Sequence, residues 1–410
     1  MGKKRLLIFA YYSFKDPVFQ SAVLPYFINF PGKEQFEFVL LTFEQEAYKL
    51  ANAEKAHIQN ELKQHNIFWY ARPWHSGRFK LFKKVYDLFA GIVEATRLAK
   101  KHKVSAIYSE GFPGGVIAHY ISKLIKKPHI IHTFEPHTDY MVESGVWKKS
   151  DWEARTLRKY EGVVAKGAFA IMTATQAMIE KWETKTKAQF YRVPSCVDLN
   201  HFYFKADERQ RLRDKYGIAE SELVFVYLGK LGGMYMEQEL FDFFKVVYQH
   251  MDNHRSVRFM ILSTEPAEKI EQLKQQSEIP NERFIVTSLN REQVPGYLSA
   301  ADIGVCGIRP IPSRRYSSPI KNGEYWACGL PVIIPDGISD DYLFVEEYNI
   351  GWRLATLTTE AYQETIDQVF SEWSSEQQVA FRQRARAFVE RDRNVKVFQD
   401  LYYKVFTTLE

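Results

Sequence analysis

Apolar residues in this chain fall into short runs of strand length, separated by longer stretches in which they recur every three to four positions. In the first half the runs are Arg5–Ala10, Glu37–Phe43, Ile67–Tyr70, Ser105–Ser109, His129–Thr133 and Phe169–Thr173. Phe79–His102 and Trp152–Lys166, lying between them, carry the spacing of amphipathic helices. A polar, charged stretch at Lys205–Lys215 interrupts the pattern after Val193-Pro194. It then restarts with Glu222–Leu228, Val257–Ser263, Arg283–Thr287, Ile303–Gly307 and Pro331–Ile334. Strands that alternate with helices of ten or more residues predict βαβ units and a parallel sheet.

Two such sets predict an α/β chain of two facing doubly wound Rossmann-like domains. The first is expected over residues 1–200 and the second over 201–391, with a linker near 194–205. Two sheets facing each other make a cleft lined by the carboxyl ends of their strands, where α/β proteins bind ligands. The last helices, Ser375–Arg391 and Asn394–Leu409, have no further strand to cover, so the segment from about 392 to 410 is expected to return to the first domain.

Composition narrows the class. At 410 residues, with 46% hydrophobic and 26% charged positions, the chain is a folded protein of about two domains. Three well-separated cysteines, Cys196, Cys306 and Cys328, suggest neither a zinc site nor a disulfide framework, and fit a reducing cytoplasm. The start MGKKRLLIFAYYSF reads as a first buried strand, because charge returns at Lys15-Asp16 and no small-residue cleavage site follows. No stretch approaches the roughly 20 apolar residues of a membrane span. The net charge of +5 is uneven: residues 1–200 hold 30 Lys+Arg against 19 Asp+Glu, the remaining 210 hold 25 against 31. The first half is therefore expected to face something anionic. Nucleic acid is not expected, for no helix-turn-helix, zinc-finger or RNP-type signature is present.

The most informative stretch runs from Tyr316 to Ile334. Ser317-Ser318-Pro319 reads as a helix start, a hydroxyl cap followed by Pro at the first helical position. Lys321 and Glu324, three apart, share one face of that helix, and Gly329 ends it. A helix N-terminus beside a lysine suits a pyrophosphate, and the glutamate suits a diol. An ordinary surface ion pair explains the same spacing. A second stretch, Val226–Tyr235, is a strand end running into Gly229, Lys230, Gly232 and Gly233, a turn whose N–H groups can approach phosphate.

Lys321-x-x-Glu324-Tyr-x-Ala-Cys-Gly-Leu-Pro-Val closely resembles the donor-site signature of the retaining glycosyltransferases of family 4, which have the two-lobed GT-B fold. The resemblance implies that Glu324 binds the nucleotide ribose. It puts Tyr316 where that family's E-x7-E motif opens with a glutamate, a departure shared by some members with an S-P-x-K lead-in such as Ser318 provides. The glycine turn resembles the family's Gly-Arg turn, with Lys230 in the arginine's position. The second basic residue is absent from the turn, and Arg309 or Arg314-Arg315 are candidates to supply it. Thr287-Ser288 resemble the nucleobase edge, and Val193-Pro-Ser-Cys-Val-Asp-x-x-x-Phe202 the inter-lobe segment.

In the first domain, Ile130–His137 delivers Glu135 and His137 to a strand's carboxyl end, and the resemblance implies that His137 contacts the transferring sugar. Glu161 matches a glutamate often present in the family, with a catalytic or a packing role. Gly111 and Gly114, in the turn Ser109–Gly115, are placed on the acceptor side. Arg72–Lys103 contains nine basic residues against Asp87 and Glu94, interleaved with Trp74, Phe79, Phe82, Tyr86 and Phe89. That mixture suits an anionic membrane surface, or a core-packed helix with its lysines in solvent.

No D-x-D triplet occurs, so neither a metal nor another cofactor is expected. The leaving diphosphate would be neutralised by Lys230, Lys321 and a helix N-terminus. The expectation is a cytoplasmic, retaining, metal-independent transferase. It would move a hexose-type sugar from a UDP- or GDP-sugar donor to a glycan or lipid-linked acceptor, in surface polysaccharide biosynthesis. The alternatives are a nucleotide-sugar epimerase of the same fold, a two-lobed solute-binding protein, and a degenerate transferase kept for partner binding.

Overall fold

The computed structural model describes residues 2–75, 80–250 and 256–409, with the backbone alone for 80–85 and 375. Phe79 and the side chain of Phe82 lie outside the described residues. The chain forms two compact units, residues 1–193 with 395–410, and residues 194–394.

The first unit holds a seven-stranded sheet in the order β3-β2-β1-β4-β5-β6-β7. Its strands are β1 (Lys4–Phe9), β2 (Phe36–Glu44), β3 (Ile67–Pro73), β4 (Ala106–Glu110), β5 (His129–Thr133), β6 (Ala170–Thr173) and β7 (Gln189–Arg192). Every pairing is parallel. Alternation along β2 shows how both faces are covered. Val39, Leu41 and Phe43 pack with Leu98, Ile117 and Ile121 from the helices Lys80–His102 and Gly111–Ile125. Phe36 and Phe38 turn the other way, towards Phe30 and Phe406. The terminal helix Val395–Thr407 lies on that side, with Tyr402 against Tyr108 and Phe406 stacked on Phe30. Each such ring contributes about 1.5–3 kcal/mol by burial, so this helix is part of the first unit's core.

The second unit repeats the scheme with six parallel strands in the order β10-β9-β8-β11-β12-β13. They are β8 (Leu223–Leu228), β9 (Val257–Leu262), β10 (Phe284–Thr287), β11 (Ile303–Val305), β12 (Val332–Pro335) and β13 (Gly351–Leu354). Val224 and Val226 enter one core cluster, Phe225 and Tyr227 the other, so β8 is buried on both faces. The fold is therefore α/β with two doubly wound parallel sheets. Two edge strands, β7 and β13, were not among the expected runs. Each is only four residues long, and β7 (Gln-Phe-Tyr-Arg) is polar because its outer side is open. No helix among the described residues is long and apolar enough to cross a membrane.

Candidate active site

Where the strand order of a doubly wound sheet reverses, the neighbouring loops leave in opposite directions and open a crevice at the carboxyl ends. In the second unit that point lies between β8 and β11. A cavity of about 270 Å³ opens there, bounded by Tyr227, Leu228, Val305, Cys306 and Gly307 and by Ser317–Asn322 of the following segment. Its geometry depends on Gly304, where a Cβ would stand 2.9 Å from the Tyr325 ring. The Tyr325 hydroxyl in turn accepts the N–H of Leu228 at 2.7 Å, so the helix and the end of β8 are locked together.

The helix Ile320–Ala327 points its start into this cavity. Pro319 occupies the cap position and no side chain caps the first turn, which leaves the N–H groups there for a ligand. The expected hydroxyl cap is corrected here. The Ser318 hydroxyl instead accepts from the N–H of Ser195 at 3.1 Å and from Arg393 Nη1 at 2.5 Å, because a buried guanidinium lies within its reach. Arg393 also pairs with Asp341, both essentially inaccessible. Asp341 accepts from Asn322 Nδ2 at 2.9 Å, fixing the first turn of the helix. Asn322 Oδ1 is buried in the cavity wall without a partner.

Lys321 and Glu324 meet at 3.3 Å, with the lysine half exposed and the glutamate 2% exposed. On the other side Arg291 Nη1 stands 3.5 Å from Glu324 Oε1, while its guanidinium lies 5.1 Å over the Phe202 ring. Arg291 was not foreseen. It sits 33 positions from Glu324, in the loop after β10, and no local spacing links the two. Thr287 ends β10 at the start of that loop, half-buried, with its carbonyl accepting from Ser263 N–H at 3.1 Å.

The glycine turn follows β8. Gly232 and Gly233 have φ of +84° and +64°, the left-handed region that favours glycine, and a Cβ on Gly232 would also displace the Glu237 carboxylate. Gly229 lies against Tyr227, whose hydroxyl donates to the Lys230 carbonyl. The Lys230 ammonium is exposed and has no partner among the described residues. Arg309 is otherwise placed: it pairs with Glu239 at 3.0 Å and does not line the cavity, whereas Arg314 does.

In the first unit the reversal lies between β1 and β4. Gly111 takes φ +65° as the helix Gly111–Ile125 begins, and a Cβ on Gly114 would stand 3.3 Å from Tyr11 Cβ. Nearby, burial and the carboxylates of Glu110, Asp16 and Glu135 push the Tyr12 phenol upward, and its hydroxyl lies 4.0 Å from where a Cβ on Gly111 would stand. His137 is the first residue of the helix His137–Glu143, and burial pushes its imidazole below the usual range, which keeps it neutral at pH 7. Pro136 cannot cap that helix. Glu161 does so from the helix Trp152–Gly167, accepting the N–H and Oγ–H of Thr138 at 2.8 and 2.9 Å. That gives Glu161 a structural place under His137. Among the described residues no group of three or more His, Cys, Asp or Glu is arranged to hold a metal ion.

Residues 208–388 match the family of glycosyl transferases group 1. No curated protein matches the sequence. Among solved structures, Anabaena Alr3699/HepE in complex with UDP has 13% identity and a TM-score of 0.74, with 99% of this chain and all of that one covered. Sucrose-phosphate synthase from Thermosynechococcus elongatus has 14% identity and a TM-score of 0.64, with coverage of 99% and 100%. WaaG, a glycosyltransferase involved in lipopolysaccharide biosynthesis, has 13% identity and a TM-score of 0.63, with coverage of 97% and 98%. At these identities the likeness is one of fold, and the fold is GT-B.

Proposed function

We propose that this GT-B chain, whose second unit carries the group 1 glycosyltransferase match, transfers a sugar from a nucleoside diphosphate sugar. The observation that carries the reading is the cavity at the β8/β11 reversal, where an uncapped helix start, Lys321 and the buried Glu324 converge. The N–H groups of the first turn, with Lys321 and Lys230, receive the diphosphate. Glu324 accepts from the ribose diol, Thr287 borders the base, and Asn322 Oδ1 accepts a hydroxyl of the donor. As the glycosidic bond to the donor breaks, the charge that develops on the diphosphate meets donors already in place, without a metal ion. UDP is the first nucleotide to test, since the complexes of Anabaena HepE hold UDP, UDP with glucose, and UDP-glucose.

The finer reading follows the same residues. Transfer proceeds with retention to a glycan or lipid-linked acceptor, in surface polysaccharide assembly. His137 and Glu135 are the first unit's candidate catalytic residues, and Gly111 and Gly114 its candidates on the acceptor side. The helix Lys80–His102 exposes Tyr86, Phe89 and Val93 along one stripe that continues into Arg97 and Lys100, which suits an anionic membrane surface.

The test is thermal stabilisation by UDP, GDP and ADP. A nucleotide at 100 times its dissociation constant adds about 2.7 kcal/mol to the folded state. Stabilisation by one nucleotide that is lost in Glu324→Ala and Lys321→Ala is the expected result; a folded wild type that responds to none overturns the reading. A degenerate, partner-binding transferase is the second reading, favoured by Tyr316 in the glutamate position and by Arg309 spent on Glu239. Nucleotide binding without sugar release from any labelled donor would select it.

A further inference from the structure

A second cavity lies in the first unit, at the amino ends of its strands and so at the opposite end of the sheet from Gly111 and His137. It lies where β5 and β6 begin and where the helices Gly111–Ile125 and Trp152–Gly167 end. Its volume is about 390 Å³, and its wall includes Lys123, Lys126, Lys127, His129 and Gly167. All three lysines are exposed, and none has a side-chain partner among the described residues. The carbonyl end of the Gly111–Ile125 helix carries only about half a negative charge, and its Ser122 carbonyl already accepts the N–H groups of Lys126 and Lys127. Three ammoniums therefore leave a clear positive excess around the opening.

The floor adds an independent observation. His129 is 1% exposed, its Nε2 is 2.8 Å from Ser109 Oγ, and its Nδ1 is buried with no partner. Burial pushes its pKa down to about 3, so the ring is neutral and carries one proton. If Nε2 held that proton, the fully buried Ser109 hydroxyl and Nδ1 would both be left unsatisfied. With Ser109 donating to Nε2, the proton sits on Nδ1, and a single donor lacks an acceptor. His119 stands 6.4 Å away, ring to ring, with its Nδ1 also buried and unpartnered. Lys123 is close enough to push the His119 pKa down further. A Cβ on Gly167 would fall 2.8 Å from His119 Nδ1, so the bare glycine in the cavity wall makes room for that ring. A buried Nδ1–H donor and a second unpartnered imidazole nitrogen, beneath three unpaired ammoniums, are complementary to a compact oxyanion.

We infer that the Ser122–Phe169 cavity is a binding site for a phosphate group, distinct from the nucleotide site of the second unit. Two sources share that chemistry, free phosphate and the phosphodiester headgroup of an anionic lipid. Leu124 and Tyr120 lie exposed on the same helix as Lys123 and give the second source an apolar surface beside the charge.

The experiment uses the full chain with Lys230→Ala, which weakens phosphate binding at the glycine turn, and compares it with the same chain carrying K123A, K126A and K127A. One arm titrates inorganic phosphate by calorimetry. The other measures co-sedimentation with phosphatidylcholine vesicles, with and without phosphatidylglycerol. The three lysines are exposed, so circular dichroism and the melting temperature should match between the two proteins. Loss of about tenfold or more in phosphate affinity supports the site with a free ligand. Vesicle binding that needs phosphatidylglycerol and falls as far in the triple variant supports it with a lipid headgroup. Absence of binding in both arms, or binding that the triple substitution leaves unchanged, overturns the inference. UDP binding by the wild type is read separately, so failure of the transferase reading leaves this result standing.

Discussion

Replacing Glu161 by glutamine should make the protein more stable, by an amount that grows as the pH rises from about 4.5 to about 7. The carboxyl is 3% exposed, and burial raises its pKa from 4.5 to about 7, against the two hydrogen bonds from Thr138 and the attraction of Lys181. A carboxyl whose folded pKa lies above its unfolded value holds its proton more tightly in the native state. The stability it contributes is then complete below about pH 4.5 and is lost as the pH rises through about 7. The rise corresponds to about 3 kcal/mol once ionisation is complete. Glutamine keeps an Oε1 acceptor for both Thr138 donors and never ionises. Urea unfolding of wild type and Glu161→Gln, at several pH values between 5 and 8.5, isolates this group from every other titrating residue. The two proteins should be nearly equally stable at pH 5, and the variant ahead by about 3 kcal/mol at pH 8.5. A difference that stays flat across the range would refute the reasoning, since Glu161 would then be ionised in the native state at an ordinary pKa.

Arg393→Met should cost about 3–5 kcal/mol in urea unfolding, because it leaves Asp341 buried without its counter-charge; an unchanged midpoint would contradict the pairing. Lys230→Ala should weaken UDP binding about tenfold, measured by calorimetry, and leave the melting temperature alone, because its ammonium is exposed and unpaired. The three buried cysteines should not react with a thiol reagent at pH 8 until the protein is unfolded, since burial pushes Cys306 up to about 12 and raises Cys328 as well. Rapid labelling of the native protein would show that these side chains are reachable. Gly323→Val should destabilise the second unit by about 1–3 kcal/mol, seen in the same unfolding assay, because a Cβ there falls 2.6 Å from Val197 Cγ2.

Legibility differed between the elements and the site. β1, β2, β4, β5, β8 and β9 were visible as runs because both faces of each are covered, so at least two consecutive apolar residues run through each. β7 and β13 escaped because a four-residue edge strand needs few apolar positions. At the site, the helix start, Lys321 and Glu324 were legible because they lie within one turn of each other. The roles of Ser318 and Arg309 were not. A hydroxyl before a proline suggests a cap, yet Ser318 is taken by Arg393, which is 75 residues away. Arg309 follows β11 as foreseen but turns to Glu239, 70 residues distant.

What the sequence determined by itself is therefore what adjacency enforces: the α/β alternation, the glycine turn after β8, and the Lys321–Glu324 helix. Each depends on contacts within a few residues, where spacing and backbone preference decide the outcome. The strand order, and with it the β8/β11 and β1/β4 reversals that locate the crevices, came only from the tertiary structure. So did the Arg291–Glu324 contact, the Arg393–Asp341–Asn322 chain, the cap that Glu161 lends to the helix of His137, and the basic cavity around His129. These depend on which distant segments are brought side by side, and packing of whole helices on whole sheets decides that, beyond the reach of any local pattern.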